Sequence, residues 1–438
     1  MLRDNFCSSP WYHIRIDPAG NYLPCRWSSK KKNSDYNITN TTIQEYINSP
    51  EMRNFRLDLL NGNVSKNCNS CYYQDTVNKV SGRHLQLLKS AIKVDNFEKS
   101  LCASPHYTLF EHSYNNQGYT NYHPVDFQID LGNTCNSACI MCSPKYSSKL
   151  ASEYKKLHKI EPELFAKFNN FKNWPDDPTL VDKFVNEIAQ IPDIKYIHLL
   201  GGETLYLPGF YNICNKLIEL DIAKNVSIGT TTNGTVYTQE LENIIKQFKH
   251  VHLGISIESF HSVNDYIRWP YGIEPISKNI QRLLKLRDKT NLHVSLRITP
   301  NILSIYHIDT IFEFMIKNNV IAESCNILHD PSCLRMELLP QDIIDATIGK
   351  IDRIINKYNL KPNDHAVINK RRDDLSHLVI SDVIFEYRNF LQTYKVPENL
   401  ESERYSLVRF IKAFESIRKN NILTYLPEYE EFLRSYGY

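Results

Sequence analysis

Between residues 125 and 335 the chain alternates short apolar runs with helical patterns. Residues 127–131 (Phe-Gln-Ile-Asp-Leu) alternate apolar and polar side chains with a period of two, the signature of a strand. Residues 196–200, 226–230, 251–257 and 293–298 are further strand candidates, and a sixth is expected near residues 322–328. Between them, Phe184/Val185/Ile188, Leu241/Ile244/Ile245/Phe248 and Ile308/Ile311/Phe312/Met315 recur at helical spacing. Repeated β–α units predict an α/β fold with a parallel sheet or barrel, whose chemistry gathers at the carboxyl ends of the strands.

The flanks read differently. Residues 1–85 hold few glycines and a scattered set of cysteines, with helical signal confined to residues 42–60, where Ile43, Tyr46, Ile47, Phe55 and Leu59 can form one face. Residues 86–124 read as a linker with one short helix at 87–92. Residues 336–438 read as a helical tail, with Leu407/Phe410/Ile411/Phe414 its clearest stripe and no chemical motif. The tail is expected to serve packing or to cover substrate.

Charge adds little: 51 basic against 49 acidic side chains leave a formal net charge of +2. No global field would draw nucleic acid or a membrane surface, and Lys30, Lys31 and Lys32 read as a solvated loop. No apolar run reaches the roughly eighteen residues of a membrane span, and no signal-peptide core follows Met1. A soluble, cytoplasmic protein is expected.

Cysteine usage changes the picture. Eleven cysteines exceed what packing needs, and in a reducing compartment clustered thiols point to metal or catalysis. Cys7, Cys25, Cys68 and Cys71 form one set and Cys135, Cys139 and Cys142 another. Of the rest, Cys214 shares an apolar helical face with Phe210, Ile213, Leu217 and Ile218 and reads as a core thiol; Cys325 and Cys333 read as unrelated buried thiols, and Cys102 carries no assignment.

Cys135-Asn-Ser-Ala-Cys139-Ile-Met-Cys142 directly follows the first strand of the middle region. Three thiolates on one tight loop can bind three irons of a [4Fe–4S] cube, leaving one iron open to a small molecule. Zinc is the plain alternative, but structural zinc takes four closed ligands, and no fourth Cys or His adjoins this loop. This CxxxCxxC resembles the signature of the radical S-adenosylmethionine (SAM) superfamily. Leu200-Gly201-Gly202-Glu203, ending the second strand, matches that superfamily's GGE motif, and Thr231-Thr232-Asn233-Gly234, ending the third, is similar to its TNG element.

The resemblance implies a partial (β/α)6 radical SAM barrel over residues 125–335. It implies that Gly201, Gly202 and Glu203 hold the SAM amino group, that Thr232, Asn233, Ser256 and Glu258 lie near the ribose, and that Arg268 and Arg297 are candidates for the SAM carboxylate. Met141 stands where many members place an aromatic ring beside the adenine; Thr204 replaces a frequent proline, and Glu258 a frequent aspartate.

Four thiolates at Cys7, Cys25, Cys68 and Cys71 can close either a structural zinc or an auxiliary iron–sulfur cluster. With Asp17-Pro-Ala-Gly20 as a hairpin turn between short strands, the set resembles the twitch domain, the short form of the SPASM domain, which carries an auxiliary [4Fe–4S] cluster. The longer form needs further cysteines, and residues 72–101 hold none. Such domains usually follow the barrel; here the set precedes it. Ser81, Gly82 and Arg83 either extend the match or form a plain loop.

Together the resemblances imply an enzyme with two [4Fe–4S] clusters and SAM as cofactors. One electron from a donor such as flavodoxin or ferredoxin would cleave SAM to a 5′-deoxyadenosyl radical, which abstracts a substrate hydrogen. The implied substrate is a peptide or protein side chain; a small sugar-like molecule is the second reading and RNA the third. A zinc-bearing, non-catalytic binding protein is the competing class.

Overall fold

The computed structural model describes residues 5–28, 35–76, 81–93, 97–166, 173–323, 328, 330–362, 380–393 and 400–438. Among the described residues eight strands form one sheet: β1 (His13–Ile16), β2 (Tyr22–Leu23), β3 (Asp126–Asp130), β4 (Tyr196–Leu200), β5 (Ser227–Thr232), β6 (His250–Ser256), β7 (Leu292–Arg297) and β8 (Ala322–Glu323). Their order is β2-β1-β3-β4-β5-β6-β7-β8, with only the β1–β2 pair antiparallel. Strands β3 to β8 are six parallel strands in chain order with helices between them, the expected partial (β/α)6 arrangement.

The period-two alternation explains how each strand sits. Phe127 and Ile129 are fully buried on the helix-covered face, where Phe127 meets Phe184 edge-on with ring centroids 6.3 Å apart. On the opposite face Gln128 donates to Asp130 at 3.1 Å, and the register carries that face through His198, Gly229 and His252. Each helix between strands buries the stripe read from its sequence. Val181, Phe184, Val185 and Ile188 lie inward on Pro178–Ala189, and Ile308, Ile311, Phe312 and Met315 on Ile308–Asn318. Burying each such side chain stabilises the fold by about 1.5–3 kcal/mol. Cys214 is a core thiol, buried with Phe210, Ile213 and Leu217.

The N-terminal third differs from the sequence expectations. The N-terminal hairpin is not a detached unit: β1 pairs in parallel with β3 through His13–Asp126 and Ile16–Ile129, so it lengthens the barrel sheet at its edge. Its turn forms as expected, with Gly20 at φ +87° donating to the Asp17 carbonyl at 2.9 Å. The segment expected to link the regions is packed helix instead. Gly82–Lys89 replaces the helix expected at 87–92, and Phe97–Cys102 and Tyr107–Asn115 follow. Phe110 anchors the last of these edge-on against Phe6 and Trp11, at centroid distances of 5.1 and 5.0 Å. The sixth strand is described over Ala322–Glu323; most of the remainder of that expectation, Cys325 included, lies outside the described residues, as does the lysine run at 30–32.

The tail is helical, with Gln341–Lys357, Ile380–Thr393 and Glu401–Arg418 its main elements. Phe410 and Phe414 pack on Phe165 at 5.1 and 5.5 Å, which seats Glu401–Arg418 against the segment just after the cysteine loop. No helix among the described residues is long and apolar enough to cross a membrane.

Candidate functional site

Strand β3 delivers the chain into the loop of Cys135, Cys139 and Cys142, and hydrogen bonds from several distant segments tie that loop down. Ala138 N donates to Trp269 O and Ile140 N to Ile267 O, both at 2.8 Å, so the loop pairs with a distant segment much as a strand would. Ala138 and Ile140 are fully buried, which turns the cysteines between and beside them the other way. Ser147 has two tasks: its hydroxyl caps the helix Ser148–Ile160 by accepting from Leu150 N at 3.1 Å, and it donates to Ser137 O at 2.7 Å. From the tail, Arg418 Nη2 donates to Ala138 O at 2.5 Å and to Glu153 at 2.6 Å.

The three thiols line one cavity of about 260 Å³ at the carboxyl ends of the strands. Of the ten residues expected around SAM, eight line it: Met141, Gly201, Gly202, Glu203, Thr232, Asn233, Ser256 and Arg268. Glu258 and Arg297 are not among its lining residues. Both Glu258 oxygens are engaged elsewhere, on Arg268 Nη2 at 2.7 Å and Thr299 N at 2.9 Å. Arg297 lies across β6, where a Cβ on Gly254 would come within 2.5 Å of its Nε.

The glycines of the Gly-Gly-Glu turn have a structural reason that differs from open access for a ligand. A Cβ on Gly202 would sit 2.4 Å from Thr134 O, so the turn must press its backbone against the cysteine loop. Glu203 then ties two strand ends together, accepting from Thr232 Oγ1 at 2.6 Å, Asn233 N at 2.5 Å and Leu205 N at 3.1 Å. Asn233 continues the chain of contacts, donating to Asn136 Oδ1 at 2.8 Å and Ser137 Oγ at 3.0 Å. The cavity walls and the cysteine loop are thus one bonded unit.

Burial pushes all three thiols up, Cys135 and Cys142 to about 12, with Cys139 adding to both and Arg268 opposing the rise at Cys139 and Cys142. Burial likewise pushes Glu203 up against the pull of its three donors. A metal group bound here would have to take these sulfurs as thiolates, and Arg268 beside Cys139 is the charge that eases that change.

Cys7, Cys25, Cys68 and Cys71 surround a second, narrow cavity together with Trp27, Phe55 and Arg83. Cys7 lies just before the helix Ser9–Tyr12, Cys25 just after β2, Cys68 ends the turn Lys66–Cys68 and Cys71 lies on the helix Asn69–Thr76 that continues it. Burial pushes each thiol up, Cys25 to about 11 and Cys68 to about 12. Gly82 and Arg83 lie at this site, while Ser81 accepts from His84 N at 3.3 Å. A Cβ on Gly82 would collide with the Trp27 ring at 2.3 Å, and Arg83 lines the cavity while holding Asp75 at 2.7 and 2.9 Å.

Sequence reasoning missed the connection between the two sites. Arg15 on β1 grips Asp130 at the end of β3 through Nε and Nη2, at 3.0 and 2.5 Å, and donates from Nη1 to Arg26 O at 3.0 Å. Arg26 follows Cys25, and Asp130 precedes the first cysteine loop. The alternation in β3 marked Asp130 as facing one way; nothing in the spacing named its partner.

Among the described residues, no three His, Cys, Asp or Glu side chains converge closely enough to hold a single metal ion. The thiols instead ring two cavities.

Residues 129–301 match the family model described as the radical SAM superfamily, and residues 7–72 match an iron–sulfur cluster-binding domain, SPASM. The two matched domains imply iron–sulfur clusters and SAM binding. No curated protein is significantly similar to the chain. Among solved structures, anSMEcpe with bound AdoMet is similar at 11 % identity and a TM-score of 0.36, the likeness covering 54 % of this chain and 62 % of that one. Streptococcus suis SuiB bound to the precursor peptide SuiA is similar at 13 % identity and a TM-score of 0.37, covering 81 % of this chain and 70 % of that one. By its two matched domains, and with its fold and cysteine loops in accord, the chain is a radical SAM protein carrying an N-terminal SPASM-type iron–sulfur cluster-binding domain.

Proposed function

We propose that the chain is a radical SAM enzyme in which Cys135, Cys139 and Cys142 hold a [4Fe–4S] cluster and the cavity beside them takes SAM. The observation that carries this reading is the single cavity shared by those three thiols and the Gly201–Gly202–Glu203 turn. With both bound, the chemistry supplied is one-electron cleavage of SAM to methionine and a 5′-deoxyadenosyl radical, which removes a hydrogen atom from substrate. The chain's own work is orientation. Glu203 and Asn233 fix the wall of the cavity, and Met141 and Thr231 shape it.

The second set, Cys7, Cys25, Cys68 and Cys71, holds an auxiliary cluster in this reading. Its four thiols leave no position for a small molecule, which suits electron transfer or anchoring. The substrate class, a peptide or protein side chain, and a flavodoxin- or ferredoxin-like donor follow from the family resemblance. A reducing, cytoplasmic setting agrees with the ten described cysteines, all free of disulfides.

Protein purified without oxygen should contain roughly eight irons and eight sulfides, as two four-iron cubes require. Reductant and SAM should then yield 5′-deoxyadenosine, and Cys142→Ala should abolish it. A colourless zinc protein, or 5′-deoxyadenosine formed equally well by the variant, would overturn the reading.

A further inference from the structure

Arg268 stands at the end of the short helix Val263–Ile267 and is 7 % exposed. Its guanidinium is engaged on two sides. Nη2 donates to Glu258 Oε1 at 2.7 Å, and Nη1 reaches Cys139 Sγ at 3.7 Å, within hydrogen-bonding range for sulfur. Glu258 is itself fixed: its other oxygen accepts from Thr299 N at 2.9 Å, and its backbone N donates to Asn264 Oδ1 at 3.2 Å. A carboxylate tied to two strand ends therefore aims the arginine at the middle cysteine of the loop. One N–H of each Nη is thus committed, one to Glu258 and one to Cys139, while Arg268 still lines the cavity.

We propose that Arg268 is a positioning residue that acts through Cys139. Its guanidinium sets how readily a cluster held by the first thiol set accepts an electron, and Glu258 is its opposing charge. The inference rests on the function proposed above. Reduction adds one negative charge to the cluster, supplied by an external reductant. A cation hydrogen-bonded to a ligand sulfur stabilises the reduced form, and a carboxylate close behind it opposes that effect. The two partners of one ion pair should therefore move the same equilibrium in opposite directions, which a purely structural pair would not do.

The test is a redox titration of the full-length protein, reconstituted without oxygen and followed by the paramagnetic signal that SAM perturbs. At a fixed potential Arg268→Met should lower the reduced-to-oxidised ratio about tenfold, equivalent to about 59 mV for one electron. Glu258→Gln should raise the ratio, and Arg268→Lys should recover part of the loss. Where Arg268→Met fails to fold because Glu258 is left buried and unpaired, Glu258→Gln and the Arg268→Met/Glu258→Gln pair carry the test, the latter falling below Glu258→Gln alone. Variants with full iron and unmoved ratios, or single variants that shift the same way, overturn this inference alone. A wild-type protein with no reducible cluster at the first set overturns the proposed function and this inference with it.

Discussion

The two thiol sites differ in how they are built. Cys135, Cys139 and Cys142 come from one loop, and that loop is bonded to β4, to β5, to the segment around Trp269 and to the C-terminal tail. Cys7, Cys25 and the Cys68–Cys71 pair come from three separate stretches of chain that converge on a narrow space. The first arrangement keeps three sulfurs rigid while a cavity of about 260 Å³ stays open beside them. The second encloses its space with sulfur and aromatic rings. Rigidity around an open cavity suits chemistry on a bound small molecule; closure by four ligands suits storage or relay of electrons.

The sharpest way to break this comparison is to remove one sulfur from each site. Cys142→Ala should abolish SAM cleavage outright. Cys71→Ala should cost about four irons yet leave SAM cleavage measurable, read as 5′-deoxyadenosine per turnover without substrate. Equal loss in both variants would make the sites one functional unit.

The next largest effect concerns the tail. Arg418→Ala takes the partner from half-buried Glu153 and leaves Ala138 O without its donor, so it should destabilise the protein by about 3 kcal/mol. Thermal unfolding gives the stability, and iron analysis should show loss at the first site with the second retained. Arg418→Lys, which keeps the charge but not the fork, should fall between.

Two glycines offer a matched pair. Gly202→Ala pushes a Cβ into Thr134 O and should weaken SAM binding, with a stability cost of about 1–3 kcal/mol. Gly82→Ala pushes one into the Trp27 ring and should disturb the second site while SAM affinity holds. Equilibrium dialysis of SAM with each variant separates the two outcomes.

Much of the barrel was legible in the sequence because its signals are local. Alternation in residues 127–131 and the helical stripes after each strand report burial within a few neighbours, and the cysteine loop is contiguous. What escaped depends on distance along the chain. Arg418 meets Ala138 across 280 positions, and Arg15 meets Asp130 across 115, so no spacing rule connects them. The hairpin's parallel pairing to β3 escaped for the same reason. The helices of residues 97–115 were hidden by shortness: one aromatic anchor, Phe110, does the work of a periodic stripe. Glu258 and Arg297 lie at the strand ends where a SAM contact was expected, but the direction of a side chain and the demands of its neighbours are tertiary facts.

The smallest expected effect separates the sheet's interior from both sites. Burial, followed by the nearby Arg26 and Arg297, pushes His198 down to about 3, so it stays neutral in the folded chain. The unfolded chain takes up that proton near its ordinary value of about 6.5, so unfolding binds protons between the two values. Stability from this residue is fully present above about 6.5 and falls on acidification, by roughly 2 kcal/mol at pH 5. Denaturant titrations at pH 7 and 5 on the metal-free protein, repeated with His198→Gln, check it: the variant should lose less stability on acidification.

The central claim is that the first thiol set leaves one metal corner for SAM, and magnetic resonance of the reduced protein with SAM isotopically labelled at its amino nitrogen tests it most directly. The account predicts a nitrogen coupling to a cluster signal that survives in Cys71→Ala and vanishes in Cys142→Ala. A reduced cluster at Cys135, Cys139 and Cys142 that shows no such coupling with SAM in excess would contradict it.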